Sequence, residues 1–163
     1  MEKETAIDYR QLIENKINEL RGNTINSKIT NQEVYLGVDS LNKTDMQQIV
    51  TKHLFFLYFS YQTCSPCIQQ TVEYIEEVFP DYENDDRIIF ISPDYPARFR
   101  RNCYGKKLLT LSKGELGIPL ESEHVPFIFI LNKNMEIEEL HIVNKENFVK
   151  TLEFLKKLNQ GLP

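Results

Sequence analysis

Apolar residues in this chain follow two patterns, and their order lays out an architecture. Leu54-Phe55-Phe56-Leu57-Tyr58-Phe59, Ile88-Ile89-Phe90-Ile91 (opened by Arg87) and Phe127-Ile128-Phe129-Ile130-Leu131 are short continuous runs rich in aromatic and β-branched residues. Such runs predict strands buried on both faces. A shorter run, Glu33 to Val38, predicts another strand, and the partly alternating stretch from Glu136 to Val143 predicts a strand that forms a β-hairpin with 127–131 across an Asn132-Lys133-Asn134 turn.

Helical spacing occupies the intervals. Tyr9, Leu12, Ile13, Ile17 and Leu20 make one stripe, predicting a helix over 5–21 with Gly22 as its stop. Ile68, Val72, Ile75 and Phe79 make another, ended by Pro80. Phe148, Leu152, Leu155 and Leu158 predict a last helix over about 145–159. Thr44 with Gln47 suggests a capping box opening a short helix through Val50. Pro96 suits the first turn of a helix carrying Phe99 and Cys103 and closed by Gly105. Gly22–Asn31 and the acidic Asp81–Asp86 segment read as loops, as does 106–123, placed over one end of the sheet. The whole predicts an α/β protein: a mixed central sheet flanked by helices, with an extra N-terminal helix. Residues 1–32 form that helix and a linker, and 33–163 form the main domain. A right-handed crossover is expected between strands 54–59 and 87–91.

Composition narrows the class. At 163 residues and 41% hydrophobic content the chain can bury a core without disulfide staples. A net charge of −5 argues against nucleic acid as a partner. Arg98, Arg100, Arg101, Lys106 and Lys107 cluster locally; the alternatives are a solvated face and a patch that steers an acidic partner. No stretch approaches the roughly 18 apolar residues of a membrane span. Met1 to Thr5 lacks the features of an export signal, which fits either a cytoplasmic protein or an envelope protein whose export or lipid signal has been removed.

The chemistry sits between strand and helix, at Cys64-Ser65-Pro66-Cys67. Cysteines at i and i+3 of a helix start share one side, close enough to bridge. The first meets the unsatisfied N–H groups and positive end of the helix, which favour a thiolate. A thiolate beside a second thiol can attack a disulfide and then be released by its neighbour. Cys64 is therefore the candidate nucleophile and Cys67 the resolving thiol, with no organic cofactor and no metal required. Zinc or copper binding by the same pair is an alternative, with Cys103, His53, His124 and His141 as the further candidate ligands, none in paired spacing. Cys103 itself reads as a helix residue packed on Phe99, the reactive alternative resting on nearby basic residues.

The Cys-x-Pro-Cys turn, followed by Val125-Pro126 at the opening of the next core strand, resembles the thioredoxin superfamily. The extra N-terminal strand and the long insert before Pro126 are most similar to the bacterial envelope thioredoxin-like reductases of the TlpA type. The resemblance covers roughly 33–158. It implies a monomer that exchanges disulfides with protein substrates, using a thiol electron donor, in the cell envelope or periplasm. It also implies a cis peptide bond before Pro126, with Val125 and Pro126 binding substrate through an unpaired backbone edge. Thr63 replaces the tryptophan usual before the first cysteine. Tyr58 replaces the buried acid that serves as proton acceptor, leaving Glu121, Glu123 and His124 as possible substitutes. Peroxiredoxins share this fold, but their Thr or Ser three residues before the reactive cysteine is Tyr61 here.

Overall fold

The computed structural model describes residues 8–37 and 42–161. Its strands are β1 (Glu33–Tyr35), β2 (Lys43–Asp45), β3 (Leu54–Tyr58), β4 (Ile88–Ser92), β5 (Leu108–Leu111), β6 (Phe127–Leu131) and β7 (Ile137–Ile142). They form one sheet in the order β2-β1-β5-β4-β3-β6-β7. β3 pairs in parallel with β4, and β4 with β5, while β3–β6, β6–β7, β1–β5 and β1–β2 are antiparallel. The helices are α1 (Tyr9–Thr24), α2 (Met46–Ile49), α3 (Ser65–Val78) and α4 (Val149–Gly161).

Alternation along β3 divides the interior into two layers. Phe55, Leu57 and Phe59 face a core completed by Ile68, Ile75 and Leu155 of α3 and α4. Leu54, Phe56 and Tyr58 face the opposite core, against which Ile17 and Leu20 of α1 pack. Across the β3–β6 ladder Phe56 stacks on Phe129 at 5.0 Å and Tyr58 on Phe127 at 4.4 Å. A fully buried side chain of this size contributes about 1.5–3 kcal/mol, against about 0–1 for an exposed ion pair. The aromatic sheet centre, rather than surface charge, therefore fixes the end of β3 from which the cysteine turn departs.

Several expectations are corrected. α1 runs through Gly22 to Thr24, because the Thr24 hydroxyl donates to the Leu20 carbonyl at 2.7 Å and Ile25 N–H to Arg21 O at 2.9 Å. Asp8 caps its other end, accepting from the N–H groups of Arg10 and Gln11; residues 5–7 of the expected helix lie outside the described residues. The 22–31 linker is not free loop: Asn26 and Ile29 donate to Ile137 and Met135, tying it to the β6–β7 turn. β1 ends at Tyr35, and the expected strand's Val38 lies outside the described residues. Thr44 belongs to β2 and caps nothing; its hydroxyl donates to Gln48 Oε1, and Gln47 N–H is taken by Asn31 Oδ1.

The Pro96 helix does not form beyond one 3-10 turn, Ala97–Phe99. Cys103 and Lys106 instead close a small turn on each other, with Gly105 at φ +90°. A Cβ at Gly105 would come within 2.7 Å of the Tyr82 hydroxyl oxygen, so both conformation and space require glycine there. Lys106 stabilises this turn by donating to the Tyr82 carbonyl at 2.7 Å and the Asp85 carbonyl at 3.1 Å. The 106–123 segment holds β5, a fully buried strand between β1 and β4, and a 3-10 helix at Pro119–Glu123.

Candidate active site

Between β3 and α3 the chain makes a tight turn locked by its own hydroxyls. Thr63 N–H donates to Ser60 O at 3.0 Å, and Ser60 N–H donates back to Thr63 Oγ1 at 2.9 Å. A threonine in the place of the usual tryptophan thus serves the turn. Cys64 follows as the N-cap of α3 and is exposed, whereas Cys67, one turn in, is buried. Pro66 fits in the first turn because no intrahelical acceptor exists for an N–H there. Cys67 N–H lies 3.3 Å from Cys64 Sγ, so the helix end points a donor at the exposed sulfur.

The two cysteines differ in surroundings. Burial and the neighbouring Cys64 sulfur push the Cys67 thiol up to about 11, while the Lys145 ammonium acts in the opposite direction. Both cysteines open into one groove of about 460 Å³. Val125 and Pro126 line it, as do Lys145 and Glu146 of the turn before α4, which follow the β7 end that pairs with the start of β6. α1 supplies the remaining wall through Ile13, Lys16, Ile17 and Leu20.

The expected cis bond before Pro126 is corrected: every peptide bond among the described residues is trans. His124, which ends the 3-10 helix two residues earlier, is in the left-handed conformation at φ 53°, ψ 35°. The Pro126 carbonyl is occupied by Val143 N–H at 3.0 Å, so the unpaired backbone edge expected there is confined to Val125, which pairs with no strand and makes no backbone hydrogen bond among the described residues.

The possible substitutes for the missing acid separate. Glu121 is committed elsewhere: one carboxylate oxygen accepts from Gly117 and Ile118 N–H at 2.8 and 3.1 Å, the other from Leu116 N–H at 2.9 Å and from the Tyr58 hydroxyl. Burial and that carboxylate hold Tyr58 in its protonated form, and neither residue lines the groove. Glu123 and His124 do line the groove, and Glu123 pairs with Lys16 at 2.8 Å.

Other candidates lie apart. Cys103 is 5% exposed in the core beneath α3 and α4, and burial pushes its thiol up to about 11. Its expected partner Phe99 is 40% exposed and carries the Arg98 guanidinium at 4.6 Å. Arg100 donates to Tyr95 O and lies over the Tyr35 ring, and with Lys106 it is used internally, leaving a thinner basic patch than the sequence suggests. His141 is hydrogen-bonded to Thr151 at 2.8 Å, and His53 pairs with Glu138 at 2.8 Å. Among the described residues no group of three or more His, Cys, Asp or Glu is placed to hold a metal ion, and no helix is long and apolar enough to cross a membrane. Sequence reasoning missed Lys145 and the α1 wall. The first was legible in principle, since antiparallel β6 and β7 return the residues after 142 to the start of β6.

No protein-family model and no curated protein sequence matches the chain. Its three-dimensional arrangement does match solved structures. A candidate thiol:disulfide interchange protein DsbE of Chlorobium tepidum superposes with a TM-score of 0.54 at 12% identity, over 84% of this chain and 98% of the other. A candidate electron transfer protein of Aquifex aeolicus gives 0.52 at 14% identity, covering 82% and 95%. A 2-Cys peroxiredoxin of Plasmodium vivax gives 0.50 at 10% identity, covering 83% and 96%. The chain has the thioredoxin-like fold. Within this thioredoxin-like frame β3, α3, β4 and the β6–β7 hairpin surround the cysteine turn, and α1 lines the same groove.

Proposed function

We propose that this protein is a thiol–disulfide oxidoreductase acting on disulfides of protein substrates, with the Cys64–Cys67 dithiol as its redox centre. The observation that carries the reading is the asymmetric pair: an exposed sulfur receiving a helix N–H, one turn from a buried thiol, both lining one groove. The Cys64 thiolate attacks one sulfur of the substrate disulfide, and the other substrate sulfur departs as a thiolate. Cys67 then loses its proton and attacks Cys64 Sγ, expelling the second substrate thiolate. Two electrons pass to the substrate, which takes up two protons, and Cys64–Cys67 becomes a disulfide for a thiol donor to reduce. Lys145 favours the Cys67 thiolate in the second step through its charge, while the position of the buried acid is held by Tyr58. The free backbone of Val125, beside Pro126, is suited to hold the substrate segment by strand-like hydrogen bonds. The interchange function given for the Chlorobium protein agrees with this reading.

A peroxidase is the second reading, because the Plasmodium peroxiredoxin shares the fold. Tyr61, three residues before Cys64, does not supply a hydroxyl of the required kind: its ring packs on Tyr95 and Phe99, and its N–H donates to Asp94. Steady-state assays with dithiothreitol as donor separate the two. Catalytic reduction of a disulfide-bridged peptide is expected, with hydrogen peroxide consumed no faster than by a simple dithiol. Rapid peroxide turnover without peptide reduction would reverse the assignment.

A further inference from the structure

We propose that α1 forms the specificity wall of the groove, with Ile13 selecting substrates that carry an aliphatic side chain next to the reacting cysteine. This rests on the oxidoreductase reading, since it names the substrate class of the same site. α1 is anchored by Ile17 and Leu20, which pack against the core on its side of the sheet, and by Arg21, whose Nε donates to Leu140 O at 3.0 Å. Glu14 adds a bond to Lys150 at 2.8 Å and accepts from Asn144 at 3.1 Å. These contacts hold the helix in place without Ile13.

Ile13 is half-buried and lines the groove with both cysteines, yet it joins neither hydrophobic core. An aliphatic side chain that contributes to no core but lines the same groove as a reactive sulfur is available to whatever occupies that groove. Tyr9, one turn before Ile13 on the same face, is 71% exposed and extends the apolar surface of the helix. The occupant is fixed by continuity: a segment whose disulfide reacts at Cys64 lies in this groove, between Val125 and α1. Its residue beside the cysteine then meets Ile13, while the Lys16–Glu123 pair bounds the wall. An aliphatic residue there removes apolar surface from water on both partners, and a serine or aspartate does not.

The test uses the full chain and two peptides, each with one internal disulfide, carrying Leu or Ser beside the cysteine. The small disulfide 2-hydroxyethyl disulfide serves as the third substrate. Wild-type protein is expected to favour the Leu peptide about tenfold in kcat/KM, through KM rather than kcat. Ile13→Ser should erase that preference by lowering kcat/KM for the Leu peptide to about the value for the Ser peptide, through KM, and Ile13→Leu should restore it. Equal turnover of both peptides by the wild type, or an Ile13→Ser loss shared by all three substrates, overturns the proposal while leaving the redox reading intact. Failure of the wild type on the small disulfide itself would overturn the redox reading, and this inference with it.

Discussion

A Cys67→Ser protein is expected to accumulate a covalent adduct between Cys64 and a disulfide-bridged substrate, and a Cys64→Ser protein to form none. The exposed sulfur is the one a substrate disulfide can reach, and it is also the one that receives the Cys67 N–H. Removing it should lower exchange on the order of a thousandfold or more, to the level of background thiol chemistry. Removing Cys67 leaves attack intact but deletes the thiol that resolves the intermediate. In the wild type that second step should quicken as pH rises, because burial and the neighbouring sulfur hold the Cys67 thiol well above its ordinary value of 9.0. Mass spectrometry of the two variants after exposure to a disulfide peptide reads the outcome directly. An adduct on Cys67 instead would reverse the two roles.

The second large effect is on stability in mild acid. His141, in β7, is enclosed between Phe154, stacked at 5.0 Å, and the Thr151 hydroxyl. Burial, reinforced by Arg21 and Lys150 and only partly offset by Glu14, lowers the imidazole from 6.5 to about 4. Between those values the unfolded chain binds a proton that the folded chain refuses, so folding stability falls as pH falls through that window. The full loss is about 3 kcal/mol by pH 4. That is a large share of the 5–15 kcal/mol typical of a domain. Urea unfolding at pH 7 and pH 4.5 should show most of the decline, and His141→Gln should flatten it. The lowered carboxylates Glu14 and Glu138 titrate below their ordinary 4.5 and so act in the lower part of the window and beneath it. A His141→Gln protein with the wild-type slope between pH 6.5 and 5 would assign the effect elsewhere.

The central strands were legible because their residues are buried on both faces, and burial on both faces leaves an uninterrupted apolar run: Leu54–Tyr58 and Phe127–Leu131 have no exposed position. β5 escaped for the opposite reason. Its four residues, Leu108–Leu111, are too few to stand out between Lys106-Lys107 and Ser112-Lys113, although all four are buried. The expected Pro96 helix failed because tertiary contacts override local preference: Lys106 and Gly105 hold the chain in a turn over Tyr82 and Asp85. At the site, the order strand–cysteines–helix was visible in the spacing alone. Lys145 and Ile13 were not, because they reach the groove through pairing and packing across more than fifty residues of sequence. The trans bond at Pro126 departs from what the resemblance implied, and the residues around it carry no signal that separates the two isomers.

The most direct test of the account is a redox-buffer titration of the whole protein, with alkylation and mass spectrometry at each poise. The account predicts one two-electron transition that joins Cys64 to Cys67, with a midpoint inside the range of about −270 to −120 mV spanned by exchanging dithiols, while Cys103 stays a thiol throughout. Cys64 and Cys67 that alkylate independently at every poise, or oxidise only by pairing with Cys103, would contradict it.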